Sequence, residues 1–338
     1  MVTGDLQRLL PEVTPLLGDI LGGQRGALLA PIRAEIFGQQ RFAQHGRSLG
    51  LTHKAERSSA FAASFFPRLR SNIQALRQAH LYIGERAKSG YDISPAAEWL
   101  LDNFHLIEAQ LKEIHEGLPQ SYFRALPVLL DEPLAGLPRI YGVAWAFVAH
   151  TDGAFEEDLL LHFLAAYQET RELSLNEIWA LPTTLRVVLV ENLRRLAERV
   201  ATNKAAREVA NLCFNRLDSF DTRALDEVLA LLNQRGVGRV FLAQMAQRLQ
   251  DQRMTGVRLS DSLPARWLSE ALPDLAAAQA QQIADQTADN LSVSNALTSL
   301  RAIGDADWPD IVARSSRLMQ MMMDAPVFAA EHMVTRDQ

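Results

Sequence analysis

The sequence of 338 residues contains a single cysteine, Cys213, and few glycines and prolines. One cysteine excludes an intrachain disulfide and any metal site built on several thiolates, and it is typical of a reducing compartment. Gly and Pro, at 18 and 14 residues, fall below the roughly 12 % average usage of the two together. A chain that is poor in turn-forming residues and rich in Ala and Leu is typical of a mostly helical protein.

Long apolar runs and an excess of basic residues are also missing. The longest near-apolar run, Ile140–Ala149, is about half of the ~20 residues that a membrane span needs. Pro11, Pro15 and Asp19 interrupt the N-terminal residues, which argues against a secretory signal there. The formal net charge of −6 disfavours nonspecific binding to nucleic acids and to anionic membranes, because both depend on Lys and Arg.

Helix signals become strong from Pro31, which we expect to open a helix running toward Gly46 or Gly50. A second helix is expected over about 55–86. Pro67 should kink or divide it, because proline removes a backbone donor.

The next segment begins at Ser94 and Pro95, a pair typical of a helix start. Apolar residues then recur at steps of three and four, which predicts one continuous helix with a single apolar stripe. The stripe consists of Leu100, Phe104, Ile107, Leu111, Ile114 and Leu118.

Further helices are predicted over Arg139–His150 and about 156–170, separated by a turn at 151–153. Ser174 followed by Glu177 matches a capping box and starts another helix. No segment alternates with period two over five residues. We therefore predict an all-α fold of about a dozen helices, an irregular multi-helix bundle or a solenoid of antiparallel helix pairs.

Three domain ranges are predicted along the chain. Residues 1–30 should be a weakly ordered lead-in, 31–90 an N-terminal helical hairpin, and 91–338 the main helical domain.

The usual catalytic signatures are absent from the sequence: a Gly-rich phosphate loop, G-x-S-x-G and HExxH. Asp305 and Asp307 match the bare Asp-x-Asp spacing of many glycosyltransferases. Gly304 and Pro309 frame them as a turn between helices, where Asp residues usually cap. The spacing of the histidines predicts no metal site.

Asn192 lies within an apolar stripe of its predicted helix, between Leu189 and Leu196. A buried amide must find partners, so Asn192 either bonds backbone groups of a neighbouring helix or faces a groove. Glu191 and Arg195 are four residues apart and are expected to form an exposed ion pair.

A second set of candidates consists of aromatic side chains, which could stack on sugars or form helix–helix contacts. These residues are Trp99, Tyr141, Trp145 and Trp179. Their helical placement favours the packing role.

Three stretches of the sequence resemble the N-terminal region of bacterial cyclic β-1,2-glucan synthases. They are ISPAAEWLLDNFHLIEAQLKEIHEGLPQSYFRALPVL (Ile93–Leu129), GLPRIYGVAWAFVAHTDGAFEEDLLLHFLAAYQ (Gly136–Gln168) and LSLNEIWALPTTLRVVLVENLRRLAERV (Leu173–Val200). PIRAEIFGQQRFAQHGRSL, SVSNALTSLRAIGDADWPDIVARSS and HMVTRDQ are also similar to the family. The resemblance covers about residues 31–338 and is most specific in its central third.

The resemblance implies a segment of a very large inner-membrane protein. Such synthases combine a helical N-terminal region with a membrane-embedded glycosyltransferase that uses UDP-glucose, a cyclisation domain and a phosphorylase-like domain. The glucan grows while attached to the protein. None of the family's catalytic motifs falls within this chain; Arg266–Trp267, for example, lacks the glutamine of the Gln-x-x-Arg-Trp motif. Because the chain ends at Gln338 inside a matched string, we expect a truncated protein or a fragmented gene.

The resemblance therefore predicts a helical scaffold that supports glucan synthesis by the longer protein and is not catalytic alone. It needs neither metal nor cofactor, is soluble by itself, and lies on the cytoplasmic side of the inner membrane. Its expected partners are the membrane glycosyltransferase domain and the growing glucan chain, and not nucleic acid. The predicted docking surface consists of Asn103, Tyr141, His150, Asp152, Glu177, Trp179, Asn192 and Arg195.

Two alternatives to this scaffold stay open. The chain could be a free-standing helical adaptor for protein partners. It could also be an unrecognised helical enzyme, if His150, Asp152 and Glu177 cluster in an apolar pocket.

Overall fold

A computed structural model describes residues 27–56, 65–89, 93–117, 119–216, 222–254 and 263–324. Within these ranges the chain forms fourteen helices and one short antiparallel strand pair, so the predicted all-α fold is confirmed. The helices are α1 (Gln39–Thr52), α2 (Phe65–Lys88), α3 (Pro95–Asp102), α4 (Phe104–Gly117), α5 (Gln120–Arg124), α6 (Arg139–His150), α7 (Glu157–Gln168), α8 (Leu175–Asn215), α9 (Thr222–Gln234), α10 (Gly238–Met254), α11 (Leu263–Ala271), α12 (Leu275–Asp305), α13 (Trp308–Ser315) and α14 (Arg317–Met323). Strand β1 (Ala55–Glu56) pairs with β2 (Val128–Leu129).

The chain packs as two compact units. The first unit consists of the described residues within Met1–Ala30, Ala75–Leu101 and Arg195–Leu291. The second consists of those within Pro31–Gln74, Asp102–Arg194 and Ser292–Gln338. The domain ranges expected from the sequence stay a prediction, and most of the lead-in, residues 1–26, lies outside the described residues.

The first unit is built around a core of small and aromatic side chains from α8, α9, α10 and α11. Val209 and Cys213 on α8 are fully buried in it, together with Phe241 of α10 and, at 7 % exposure, Trp267 of α11. Burial raises the pKa of the Cys213 thiol to about 12. The cysteine is therefore an unreactive packing residue.

The second unit is centred on α6, in which every residue from Arg139 to Ala149 except Trp145 is buried. A helix that is apolar on all sides belongs in the middle of a bundle rather than on its surface. Its bounds, the turn after it and the helix over 157–168 agree with the sequence predictions.

The helix expected to open at Pro31 is corrected, since α1 begins only at Gln39. Residues 31–38 are not helical because their backbone is used by the end of α6. Ala34 N donates to Ala149 O at 2.8 Å, and Phe37 N donates to His150 O at 3.1 Å. The last backbone carbonyls of a helix have no hydrogen-bond donor within the helix, and residues 31–38 supply donors to them here.

The helix expected over 55–86 differs at its start. Ala55 and Glu56 form β1, and the described part of α2 runs from Phe65 to Lys88. Pro67 lies within α2 and does not divide it in the described range. Residues 57–64 lie outside the described part of the chain.

The single helix predicted through Leu100 and Ile114 is divided at Asn103 into α3 and α4. The carbonyl oxygen of Asn103 accepts from Leu106 N and Ile107 N and so starts the second helix. Asn often interrupts helices because its side chain finds other partners, and here Asn103 Oδ1 accepts from an arginine of α12 at 3.0 Å. The apolar spacing did not reveal this break, because the spacing continues across Asn103 as far as Ile114.

Helix α1 approaches α7 closely through two glycines of the second unit. A Cβ atom at Gly46 would lie 2.9 Å from Phe163 O, and one at Gly50 would lie 2.7 Å from Tyr167 O. Only glycine permits this backbone-to-backbone distance. Arg171 Nε then donates to Gly50 O at 2.7 Å, which fixes the register of the pair.

Candidate functional site

The first polar centre of the second unit surrounds Glu191 on α8, which is 1 % exposed. Arg68 and Asn72 are four residues apart on α2 and project from one face toward it. Arg68 donates Nε at 2.8 Å and an Nη at 2.6 Å, and Asn72 donates Nδ2 at 2.9 Å. Tyr141 on α6 donates its hydroxyl at 2.7 Å.

The electrostatics of this centre follow from burial and from the carboxylate. Burial and the charge of Glu191 raise the pKa of the Tyr141 hydroxyl well above its ordinary value. Burial alone would lower the pKa of Arg68, but its hydrogen bonds to Glu191 raise that pKa. Both partners therefore hold their protons as fixed donors.

The second centre surrounds Glu177, which is 0 % exposed. Arg139, the first residue of α6, donates to the two carboxylate oxygens at 2.8 and 2.5 Å. Ser174 donates both its backbone N, at 3.0 Å, and its hydroxyl, at 2.8 Å. Arg139 also donates to Glu172 O at 3.0 Å. Burial opposes the charge of Arg139, yet the pairing with Glu177 raises the pKa of the guanidinium.

Both carboxylates accept four hydrogen bonds, which is about the number of lone-pair positions that a carboxylate offers. With four donors on each carboxylate, little acceptor capacity is left for a ligand. These centres can hold helices in place, and they are not arranged for general acid–base chemistry.

The sequence analysis did not predict the polar centre around Glu191. Of the centre around Glu177, it predicted the contact with Ser174 and not the one with Arg139. The exposed pair expected between Glu191 and Arg195 is wrong, because the two side chains are 1 % and 9 % exposed. The available signal was a charged residue next to an apolar run, as at Arg139 before Ile140 and Glu191 after Val190. The serine and glutamate of the capping box were correctly placed at the start of α8.

Asn192 is fully buried, and its Oδ1 accepts from Ile32 N at 2.7 Å. Of the two alternatives for Asn192, the bond to a backbone group is therefore the one observed. That group lies in the segment before α1, however, and not in a neighbouring helix. Its Nδ2 has no hydrogen-bond partner within the described ranges.

His150 ends α6 in a small aromatic stack. Phe37 lies parallel to it with ring centroids 3.9 Å apart, and His45 of α1 lies 4.6 Å away. The ring is held by a 2.7 Å contact between Nδ1 and Glu35 O. Burial, and then the proximity of His150, lower the pKa of His45. Phe37 and His150 line a cleft of about 310 Å³ that Gln39 also borders.

Asp152 follows in the turn after α6, with φ of +49°, and it is fastened to α12. Ser292 donates its hydroxyl to the carboxylate at 2.5 Å, and Asn295 donates to the backbone oxygen of Asp152 at 3.2 Å. Burial raises the pKa of Asp152, while Ser292 and Arg33 oppose that rise.

The eight residues of the predicted docking surface have separate environments. Tyr141, Glu177 and Asn192 are fully buried, and Asp152 and Arg195 are nearly so. Arg195 belongs to the first unit, where it donates to Ala30 O at 2.9 Å. The half-buried members are Asn103, His150 and Trp179. Of the aromatic candidates, Tyr141 is a core residue and Trp99 is 44 % exposed.

The alternative of a helical enzyme required His150, Asp152 and Glu177 to meet in one pocket. Their partners are different: Glu35 O for His150, Ser292 for Asp152, and Arg139 for Glu177. The arrangement therefore does not assemble them into a catalytic group.

The Asp-x-Asp spacing belongs to a helix cap, as the sequence indicated. Asp307 accepts from Asp310 N at 3.2 Å and caps α13. Within the ranges described, no group of three or more His, Cys, Asp or Glu side chains is placed to hold a metal ion.

In the second unit, the two most deeply buried glutamates, Glu191 and Glu177, are thus ion-paired to Arg68 and Arg139. In sequence, the chain is similar to the cyclic beta-(1,2)-glucan synthase NdvB of Rhizobium meliloti (strain 1021). The two are 30 % identical over 286 residues, which are 82 % of this chain and 10 % of that protein. The resemblance predicted from the sequence is confirmed, and the chain spans about a tenth of the length of this relative.

No known family model matches the chain. Among the helices described, none is both long and apolar enough to cross a membrane.

Proposed function

We propose that the chain is a helical, non-catalytic segment of a cyclic β-1,2-glucan synthase, corresponding to the region before the membrane-embedded glycosyltransferase. It supports UDP-glucose-dependent synthesis by docking beside that transferase on the cytoplasmic side of the inner membrane. The similarity to the Rhizobium synthase over 82 % of the chain carries the proposal.

The internal chemistry of the second unit supports the non-catalytic part of this proposal. Its two deeply buried glutamates are saturated by hydrogen bonds, and each is ion-paired to an arginine. A scaffold needs such fixed pairs, whereas a transferase needs a base that can accept a proton and a site for the nucleotide.

The half-buried residues of the predicted surface, Asn103, His150 and Trp179, supply its accessible part. We propose that they contact the transferase domain, with the cleft beside His150 as the depression in that face. Tyr141, Asp152, Glu177 and Asn192 hold the elements of the second unit that present these residues.

Two measurements test the proposal. The purified chain, incubated with radiolabelled UDP-glucose, should incorporate no glucose, and robust incorporation would overturn the non-catalytic role. A complete synthase from which this segment is deleted should lose glucan synthesis, and adding the chain in trans should restore part of it. Undiminished synthesis by the deleted protein would instead favour a separate adaptor.

A further inference from the structure

The first unit contains an open groove of about 550 Å³, which lies within the ~300–1,000 Å³ range of small-ligand sites. Helices α8, α10 and α12 form its walls. Six of its side chains are carboxamides: Asn211, Gln244, Gln247, Gln279, Gln282 and Gln286.

Three of these amides are unengaged in the described part of the chain. Gln247, Gln279 and Gln282 make no hydrogen bond with other described residues, whereas Gln244 donates to Asn211 at 3.2 Å. Each carboxamide offers two donors and one acceptor oxygen. The groove therefore presents donors and acceptors side by side, with no net charge from the amides.

Arg207 lies on the α8 wall of the groove and is only partly exposed. With the Gln286 amide oriented so that its oxygen faces Arg207, that oxygen accepts from the guanidinium, and burial lowers the pKa of Arg207. Nearby carboxylates are occupied elsewhere: Asp285 and Asp289 each lie 2.9 Å from Arg199. A guanidinium held in this way keeps several N–H donors for a ligand.

The groove also has two apolar side chains, Ala243 of α10 and Ile283 of α12, and Ile283 is 63 % exposed. Sugar rings pair apolar C–H faces with hydroxyls that both donate and accept. Amides, one guanidinium and an exposed aliphatic side chain match that chemistry. A phosphate would call for more cations, and the charge of Lys204 is balanced by Glu208 at 3.8 Å.

We propose that this groove binds a neutral β-linked glucan segment, with Arg207 and the amides bonding its hydroxyls and Ile283 lying against a ring face. This deepens the proposed function and rests on it, because that function brings a growing glucan to the chain. The groove would hold the segment without performing any chemistry on it.

Isothermal titration of the purified full chain with a linear β-1,2-linked glucohexaose tests the groove. Saturable binding is expected, and Arg207→Met should weaken it about tenfold, or about 1.4 kcal/mol. Gln282→Ala should weaken it severalfold, since a hydrogen bond contributes about 1 kcal/mol. Gln250→Ala, an exposed glutamine of α10 outside the groove, is the matched control and should bind as wild type does.

Urea unfolding of each variant shows whether it is folded; if Arg207→Met is not, Gln282→Ala carries the test. Absence of saturable binding would overturn the proposal, as would equal losses in Gln282→Ala and Gln250→Ala. Displacement of the glucan by millimolar inorganic phosphate would also overturn it, since the groove would then be an anion site. If the glucan does not bind but deleting the segment still abolishes synthesis, the groove proposal fails and the proposed function stands.

Discussion

Arg139 and Glu177 illustrate how single residues hold the second unit together. An isolated charge in a protein interior costs several kcal/mol, and a pair is tolerated only when its remaining hydrogen-bonding positions are filled. Glu177 meets this condition through Ser174 and Arg139. Removing one partner therefore lowers the free energy of unfolding by more than the intact pair adds to it.

Arg139→Met should destabilise the chain by about 3–5 kcal/mol, because it leaves the carboxylate of Glu177 buried without its cation. Urea unfolding followed by circular dichroism measures the change in the free energy of unfolding. The control is Arg47→Met, which removes a pair with Glu169 whose side chains are 45 % and 52 % exposed. Equal effects of the two variants would contradict the structural role assigned to Arg139.

His53 gives the second unit a defined response to acid. Its Nδ1 lies 3.0 Å from the Tyr167 hydroxyl, and burial, aided by Arg139 and Arg171, lowers its pKa from 6.5 to about 4. The unfolded chain takes up this proton near pH 6.5 and the folded chain only near pH 4. The unfolded state thus binds more protons in between, and stability falls as the pH is lowered through that window.

Between pH 7 and 4.5 this proton should cost about 2 to 3 kcal/mol of stability. His53→Asn, which keeps a hydrogen-bond acceptor but cannot be protonated, should flatten that part of the profile. Urea unfolding of both proteins at a series of pH values gives the difference, in which the other titrating groups, including Asp152, cancel. If the stability of the two proteins depends on pH in the same way, the protonation of His53 is not the cause of the loss of stability.

At the scale of single residues, the sequence predicted contacts between residues that are close in the chain. It missed contacts between residues that are far apart in the chain. Ser174 and Glu177 are three residues apart, so the capping pattern was visible. Arg68 and Glu191 are 123 residues apart, and their pairing depends on two helices meeting in space. Helix spacing alone assigned Glu191 to the solvent side.

The contact between α1 and α7 shows what is decided at the scale of whole elements. Its backbone spacing is set by Gly46 and Gly50, where a methyl group would meet backbone or hydroxyl atoms. The sequence offered Gly46 or Gly50 as the end of a helix, and both instead lie within α1. A glycine at a close approach and a glycine at a helix end look the same in one sequence.

Gly50→Ala should destabilise the chain by about 1–3 kcal/mol, since the new Cβ would lie 2.2 Å from Thr170 Oγ1 and 2.7 Å from Tyr167 O. Gly84→Ala on α2 is the matched control. Its nearest atom would be Leu101 Cδ2 at 3.6 Å, and the better helix propensity of alanine should add about 0.5–1 kcal/mol of stability. Thermal unfolding compares the two, and a stabilising effect of Gly50→Ala would contradict the close packing.

Helices with strong local signals were predicted well, and those shaped by tertiary contacts were not. The residues 139–150 carry their own apolar pattern, and α6 has these bounds. Residues 31–38 have helical signals too, but donating to the last carbonyls of α6 is the stronger requirement.

At the scale of the whole molecule, the net negative charge predicts that the chain does not bind anionic polymers or anionic membranes. With a net charge of −6, the chain should pass through a heparin column and leave anionic vesicles unbound at about 0.15 M salt. A heparin-binding protein run on the same column serves as the positive control. Retention of the chain would show that basic residues gather on one face despite the overall balance.

The fold class and the relationship to glucan synthases could be obtained from the sequence, since both depend on many residues. The division into two packing units could not, because α2, α8 and α12 each contribute residues to both. The groove of the first unit was also missed, as its amides are spread over 75 positions of sequence and carry no motif.

The glycine contact of α1 also bears on the order in which the second unit forms. Arg171 and Gly50 are 121 residues apart, so a long loop must close before their hydrogen bond contributes anything. Two backbones in direct contact have no loosely packed version of the same arrangement, so α1 and α7 can dock in one way only. The first helix of the unit to leave the ribosome therefore cannot complete this contact until Arg171, 121 residues after Gly50, has been synthesised.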